Sequence, residues 1–408
     1  MSEALVSSPG GVFAVLCAVA AGWFFIAQVT GWKLFQYVPP LIFIYATPVF
    51  LNNFGILPKA SPVYAGLSEY LLSAFIVLML IKVDFVSTVR IMGRGVLVML
   101  MGTAGVVVGA VLSYLVVHRW LAPDAWTGVG ALAGSWIGGT GNMAAVAEML
   151  ETPPEQFGLA VLADNVVYLV WLPLLLASRN VAERFNAWTG VSPERMQRIE
   201  AASAAVLGEE RPAEMRDFIY LAAIAAGVTW ICTLLAPVLF GHTARLAPPL
   251  LELTGGQVDL TVILSESAWR ILLITTVALA LSSTPVSRLP MATNLGTAMI
   301  YVFVAGMGAR ASLAGFAQAP AFLLGALLWI FIHGAFCVLG AKLLKVDVHS
   351  TAIASAANIG AAASAPIVAA FHRPSLVPVS ILMALIGYAV GNYLGWMAGL
   401  LARAAVGQ

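Results

Sequence analysis

The chain has 408 residues, 61% of them hydrophobic, and 20 Lys or Arg with 19 Asp or Glu make only 10% charged. A soluble domain carries roughly 25% charged residues, and a mean hydropathy of +0.94 leaves too little polar surface to clothe one. The class is an all-α polytopic membrane protein; a soluble enzyme on one anchor is excluded. A net charge of +1 without basic runs excludes a nucleic-acid binder as well.

Taken in chain order, MSEALVSSPGG has no basic region and no small-residue cleavage site after the run that follows it, so that run is expected to be a retained helix. Apolar stretches cover Val12–Thr30, Tyr37–Leu51, Val63–Ile81, Gly95–Val117, Trp126–Leu150, Phe157–Ser178, Phe218–Phe240, Ala268–Thr284, Met291–Gly308, Phe316–Leu343, Ser350–Phe371 and Leu376–Ala402. At about 20 residues per crossing, they predict about twelve (11–13) membrane helices. The second and eighth are short enough to be partial crossings. Cys17, Cys232 and Cys337 lie far apart inside apolar runs and read as small core residues, not as a disulfide or metal framework.

Between the sixth and seventh stretches, Arg179–Asp217 holds six Arg and seven acidic residues. It reads as a solvated linker, with a short amphipathic helix expected over Pro193–Leu207. On either side the halves look duplicated. An offset of 220 residues sets Ser135 on Ser355, Ala145 on Ala365, Pro154 on Pro374, Tyr168 on Tyr388 and Leu174 on Leu394. Transporters are commonly built from two repeats with the binding site near the midplane.

The fifth and eleventh stretches are poor lipid-facing helices. GSWIGGTGNMAAVAEML begins at Gly134, and ASAANIGAAASAPIVAA at Ala354. Small and polar residues gain little from acyl chains, so both belong at the protein centre. Mid-membrane glycines cost about 1 kcal/mol each relative to alanine, and they appear where a broken helix exposes backbone amides and carbonyls inside protein. Candidate substrate-binding residues are therefore Ser135, Gly138, Gly139, Thr140, Gly141 and Asn142 on the first, with Ser355, Asn358, Gly360 and Ser364 on the second. Close packing through small residues is the plainer alternative.

Acidic residues within apolar stretches are few: Glu69, Glu148 and Asp164, with Asp84 at a segment end. An intramembrane carboxylate is by default a functional candidate. Asp164, beside Asn165, follows the first broken stretch and has Ala384 as its counterpart at the same offset. The pair is the expected ion-coupling site. Asp164 with Asn142 and Asn358 would supply oxygens to Na⁺, or Asp164 alone would carry a proton. Glu148 reads as interfacial, Glu69 as a snorkelling or topological charge, and His333 as a packed, hydrogen-bonded histidine. No HExxH, GxSxG or Walker pattern occurs, so no enzyme activity or cofactor is expected beyond Na⁺ or H⁺ as coupling ion.

GSWIGGTGNMAAVAE, LADNVVYLVW, ASAANIGAAASAPIVAAF and RPSLVPVSILMALIGYAVGNYLG resemble the YjcL-like family of uncharacterised integral membrane proteins. That family is similar to the superfamily of cation:proton antiporters and anion transporters that includes bile-acid sodium symporters. The resemblance implies two inverted repeats, each with panel helices and a core whose broken helices cross. The repeats would be 1–178 (panel 12–81, core 95–178) and 218–408 (panel 218–308, core 316–402), joined by a linker at 179–217. A homodimer through the panel helices is compatible with that arrangement. Electrogenic antiporters usually add a basic residue on the last core helix, and Leu376–Ala402 has none.

Counting Lys and Arg on alternate sides of twelve crossings puts 12, including Arg119, the linker, Lys342, Lys345 and Arg403, on the linker side, which makes the linker cytoplasmic. Six crossings per half would make the repeats parallel, so inversion requires one crossing to be added or lost. The expected partners are the lipid bilayer and a small-molecule solute, and the expected place is a bacterial-type inner membrane. The expected function is secondary transport of a small polar or anionic solute coupled to Na⁺ or H⁺. The alternatives are a cation:proton antiporter without organic substrate and a ligand-binding sensor signalling through the linker.

Overall fold

The computed structural model describes residues 4–32, 34–37, 40–83, 90, 93–192, 211–253, 260–311 and 317–407. Asp84 and the helix expected over Pro193–Leu207 lie outside them. The principal helices are α1 (Pro9–Thr30), α2 (Pro40–Asn53), α3 (Pro62–Leu80), α4 (Arg94–Val117), α5 (Ala125–Gly138), α6 (Thr140–Met149), α7 (Pro154–Ala177) and α8 (Ala182–Thr189). After the linker come α9 (Met215–Leu253), α10 (Glu266–Ser282), α11 (Ala292–Arg310), α12 (Ala319–Leu344), α13 (Val348–Ile359), α14 (Ala361–His372) and α15 (Val377–Ala405). No strand occurs among the described residues.

Eight helical runs among the described residues are long and apolar enough to cross a membrane. The other four predicted stretches form shorter helices: α2 has 14 residues, α10 has 17, and the fifth and eleventh are each split in two. The chain is a multi-pass membrane protein.

Two compact units form, each from three separated stretches. The first comprises 1–81, 144–165 and 213–319; the second comprises 82–143, 166–212 and 320–408. In the first unit, α11 packs on α2 and α3, and α9 on α10. The Tyr45 hydroxyl donates to Pro154 O at 2.8 Å. In the second unit, α15 packs along α5, and α4 runs antiparallel to α12, with Gly102 beside His333 and Cys337, and Gly109 beside Trp329. The Trp329 indole donates to Val106 O at 2.7 Å, so the glycine that admits the ring also leaves a carbonyl within its reach.

The eleventh stretch does not cross. Asp347 caps α13 by accepting from Ser350 N at 2.9 Å, and after the break at Gly360 the chain turns back as α14. Nδ1 of His349 and Nδ1 of His372 are 3.0 Å apart. A straight helix would separate those residues by about 34 Å, at 1.5 Å per residue. The segment is a re-entrant hairpin, which a bilayer tolerates only when it is enclosed by protein.

This return corrects the charge count. Arg94 bonds Leu344 O, Lys342 bonds Trp188 O, and Arg179 donates to Phe371 O, so these cations gather with the hairpin mouth at the linker end of the second unit. Arg119 follows the far end of α4, and the Arg403 guanidinium lies 5.1 Å from the Trp126 ring centroid at the opposite end of α15. Counting alternate gaps had placed both with the linker, because hydropathy records a segment's length and not its direction.

In a variant lacking the native cysteines, Lys345→Cys and Arg373→Cys should react with a membrane-impermeant maleimide from one face, and Arg403→Cys from the other. Labelling of Arg373→Cys and Lys345→Cys from opposite faces would mean that the eleventh stretch crosses. Replacing His349 or His372 by Phe leaves the partner nitrogen buried without its bond. The expected cost is about 1–3 kcal/mol, read as a lowered midpoint in thermal unfolding.

Candidate functional site at the two helix breaks

The second unit is centred on two interruptions. α5 stops at Gly138, and Gly139 takes φ +82°, ψ −178° before α6 begins. α13 stops at Ile359, and Ala361 takes φ +49°, a left-handed conformation that a residue bearing a Cβ rarely adopts. The breaks touch, since a Cβ on Gly139 would lie 2.9 Å from that of Ala361. Each is also covered by an equivalent tyrosine. A Cβ on Gly139 would lie 3.5 Å from Tyr388, and one on Gly360 would lie 3.2 Å from Tyr168. Tyr168 and Tyr388 are 220 residues apart, matching the sequence offset, and Gly139 and Gly360 are 221 apart.

Two asparagines brace the breaks. Asn142 Nδ2 donates to Tyr388 O at 2.9 Å and to Asn392 Oδ1 at 2.8 Å. Asn358 Nδ2 donates to Met99 O at 3.0 Å, and its Oδ1 accepts from Thr103 Oγ1 at 3.3 Å. Below them, Ser355 Oγ accepts from Trp171 Nε1 at 2.9 Å and lies 2.9 Å from His333 Nε2. His333 Nδ1 is 2.9 Å from Gly102 O, a carbonyl that can only accept, so Nδ1 carries a proton and Nε2 is free to accept from Ser355. His333 is fully buried and bonded at both ring nitrogens. Thr103, Trp171, Tyr388 and Asn392 were not among the sequence candidates. The offset pairing of Tyr168 with Tyr388 was the signal that marked one of them.

The remaining candidates distribute as follows. Ser135 O accepts from Gly139 N at 2.6 Å, and Gly360 O accepts from Ser364 N at 3.3 Å, so both belong to the breaks. Thr140 and Gly141 open α6. Asp164 and Asn165 belong to the first unit, whereas Asn142 and Asn358 belong to the second. Asp164 is half-buried, and Asn165 Nδ2 donates to Val161 O of its own helix at 2.7 Å. Glu148 forms an ion pair with Arg270 at 2.7 Å.

The breaks concentrate backbone polarity. Carbonyls at the C-terminal ends of α5 and α13, and amides at the N-terminal ends of α6 and α14, lack intrahelical partners by construction. The amide ends carry partial positive charge and the carbonyl ends partial negative charge. Such a junction can receive an anionic group or an unsolvated cation.

Gly139→Ala places a Cβ at positive φ against Ala361, and should destabilise the protein by about 2–3 kcal/mol from backbone strain and overpacking. Gly227→Ala, with nothing within 4 Å of the new Cβ, should leave thermal unfolding unchanged or slightly raised. Equal behaviour of the two variants would contradict the close contact at the breaks.

A family model described as a protein of unknown function (DUF819) matches residues 14–404. The chain is also 26% identical over 395 residues, 95% of its own length and 95% of the relative's, to the uncharacterized membrane protein YjcL of Bacillus subtilis (strain 168).

Proposed function

We propose that this chain, which belongs to the DUF819 family, is a secondary transporter that moves a small polar or anionic solute by alternating access, coupled to Na⁺ or H⁺. The observation that carries the reading is the meeting of two discontinuous segments, each covered by a tyrosine from the matching position of the other half. Discontinuous helices at a repeat interface are the recurring means by which transporters bind substrate and coupling ion.

In this reading the amide ends of α6 and α14 receive the anionic group of the solute. Carbonyls at the ends of α5 and α13 serve a cation. Asp164 carries the coupling ion, because an ionisable residue inside an apolar helix is costly unless it is used.

The chain path supports inverted repeats. Arg119 and Arg179 lie at opposite ends of the second unit, so with α7 as one crossing the reading requires the stretch Trp126–Leu150 to enter and return on one side. Inversion then requires an odd number of crossings per half: the four long helices of each, with the shorter α2 and α10 each serving as the fifth. Arg94, Arg179, Lys342, Lys345 and Arg373 at the linker end, against Arg119 and Arg403 at the other, favour a cytoplasmic linker in a bacterial-type inner membrane.

Purified protein in liposomes should take up a solute from a panel of small anions and polar metabolites under a Na⁺ or proton gradient. Asp164→Asn should abolish the ion dependence, and Asn142→Ala should slow uptake at least tenfold. No gradient-driven flux of any solute, or an Asp164→Asn variant with unchanged ion dependence, would overturn the reading. Na⁺-dependent proton flux without solute would replace it with the antiporter.

A further inference from the structure

The first unit holds a charged cavity of about 380 Å³ that the helix breaks do not account for. Its wall includes Ser68 and Glu69 on α3, Glu148 and Glu151 beyond the first break, Arg270 on α10 and Arg310 at the end of α11. Two backbone irregularities border it. α3 is wound as a π-helix over Leu67–Leu72, and Glu151 takes φ +49°. π-turns and left-handed non-glycine residues cost stability and cluster at functional sites.

The side chains leave specific valences open. Glu148 Oε1 accepts from Arg270 Nη2 at 2.7 Å, and the two side chains are 19% and 14% exposed. Arg270 Nε is buried with no hydrogen-bond partner, an expensive state for a guanidinium N–H. Arg310, exposed on the cavity wall, makes no ion pair among the described residues, and its Nη1 lies 4.0 Å from Met307 Sδ. Ser68 is buried on the cavity wall. Charges that merely snorkel to an interface need neither a cavity nor buried donors.

Charge arithmetic selects the ligand. Glu148 and Arg270 neutralise each other, and Glu69, Glu151 and Arg310 remain, a net charge of −1. A simple anion would be repelled by the excess carboxylate, and a simple amine would leave the buried Arg270 Nε unmatched. A molecule bearing both charges satisfies both sets. The volume lies within the roughly 300–1,000 Å³ usual for small-molecule sites. We infer that this cavity binds a small zwitterion, an α-amino acid or short peptide, with its carboxylate on Arg310 and Arg270 Nε and its ammonium between Glu69 and Glu151.

Binding is measured on the static protein, so this site stands or falls separately from the transport reading. The full chain, purified in a maltoside detergent, would be titrated by calorimetry and thermal shift with the twenty standard L-amino acids and L-alanyl-L-alanine. Acetate and ethylamine serve as single-charge arms. At least one zwitterion should bind saturably and at least tenfold more tightly than acetate or ethylamine. Arg310→Gln and Glu69→Gln should each weaken it at least tenfold without moving the unliganded Tm, and Arg179→Gln, in the second unit, should leave it intact. No saturable zwitterion binding, equal binding of acetate or ethylamine, or affinity surviving both cavity variants would each overturn the inference.

Discussion

Hydrocarbon offers no hydrogen bonds, and every other feature of the second unit answers to that constraint. An unsatisfied backbone amide or carbonyl in lipid costs several kcal/mol, so a helix can stop inside a membrane only where protein surrounds its ends. α5 and α13 both stop there. Asn142 braces one break against the backbone of α15, and Asn358 braces the other against the backbone of α4. The hairpin mouth is tied by the paired His349 and His372, with His372 Nε2 also 2.9 Å from Leu175 O.

Such enclosure needs helices to approach closely, and small residues make that approach available. Gly138 and Gly387 leave each backbone open to a carbonyl of the other helix, Gly387 O on one side and Ile137 O on the other. Without a hydrophobic drive between helices in lipid, such backbone proximity and interhelical hydrogen bonds supply the association energy. The same glycines that weaken α5 as an isolated helix therefore strengthen it as a packed one. Local structure, packing and the placement of polar groups at the breaks share one origin.

Much of this architecture was legible in the sequence. Charge scarcity announces the membrane class, and GGTGN and ANIGAAAS locate both breaks to within a residue or two, because glycine and asparagine at mid-span serve no lipid-facing purpose. What hydropathy could not convey was direction: Ser350–Phe371 has the length and polarity of a crossing, yet Ala361 turns it back. Placement of Arg119 and Arg403 failed with it. Thr103 and Asn392 were invisible because their value comes from partners on other helices, 255 and 250 residues away in sequence. Glu148, read as an interfacial charge, meets Arg270 across 122 residues, a pairing that no local pattern encodes.

The central claim is that the two breaks are working surfaces and not merely packed defects. Hydrogen exchange of the purified protein, read over residues 136–143 and 357–364 across a range of Na⁺ concentration and pH, tests it most directly. The account predicts exchange at both breaks that is measurable within minutes to hours and changes with one of the two ions, while the interior of α4 stays protected. Full protection at both breaks, unchanged by Na⁺ and by pH, would contradict it.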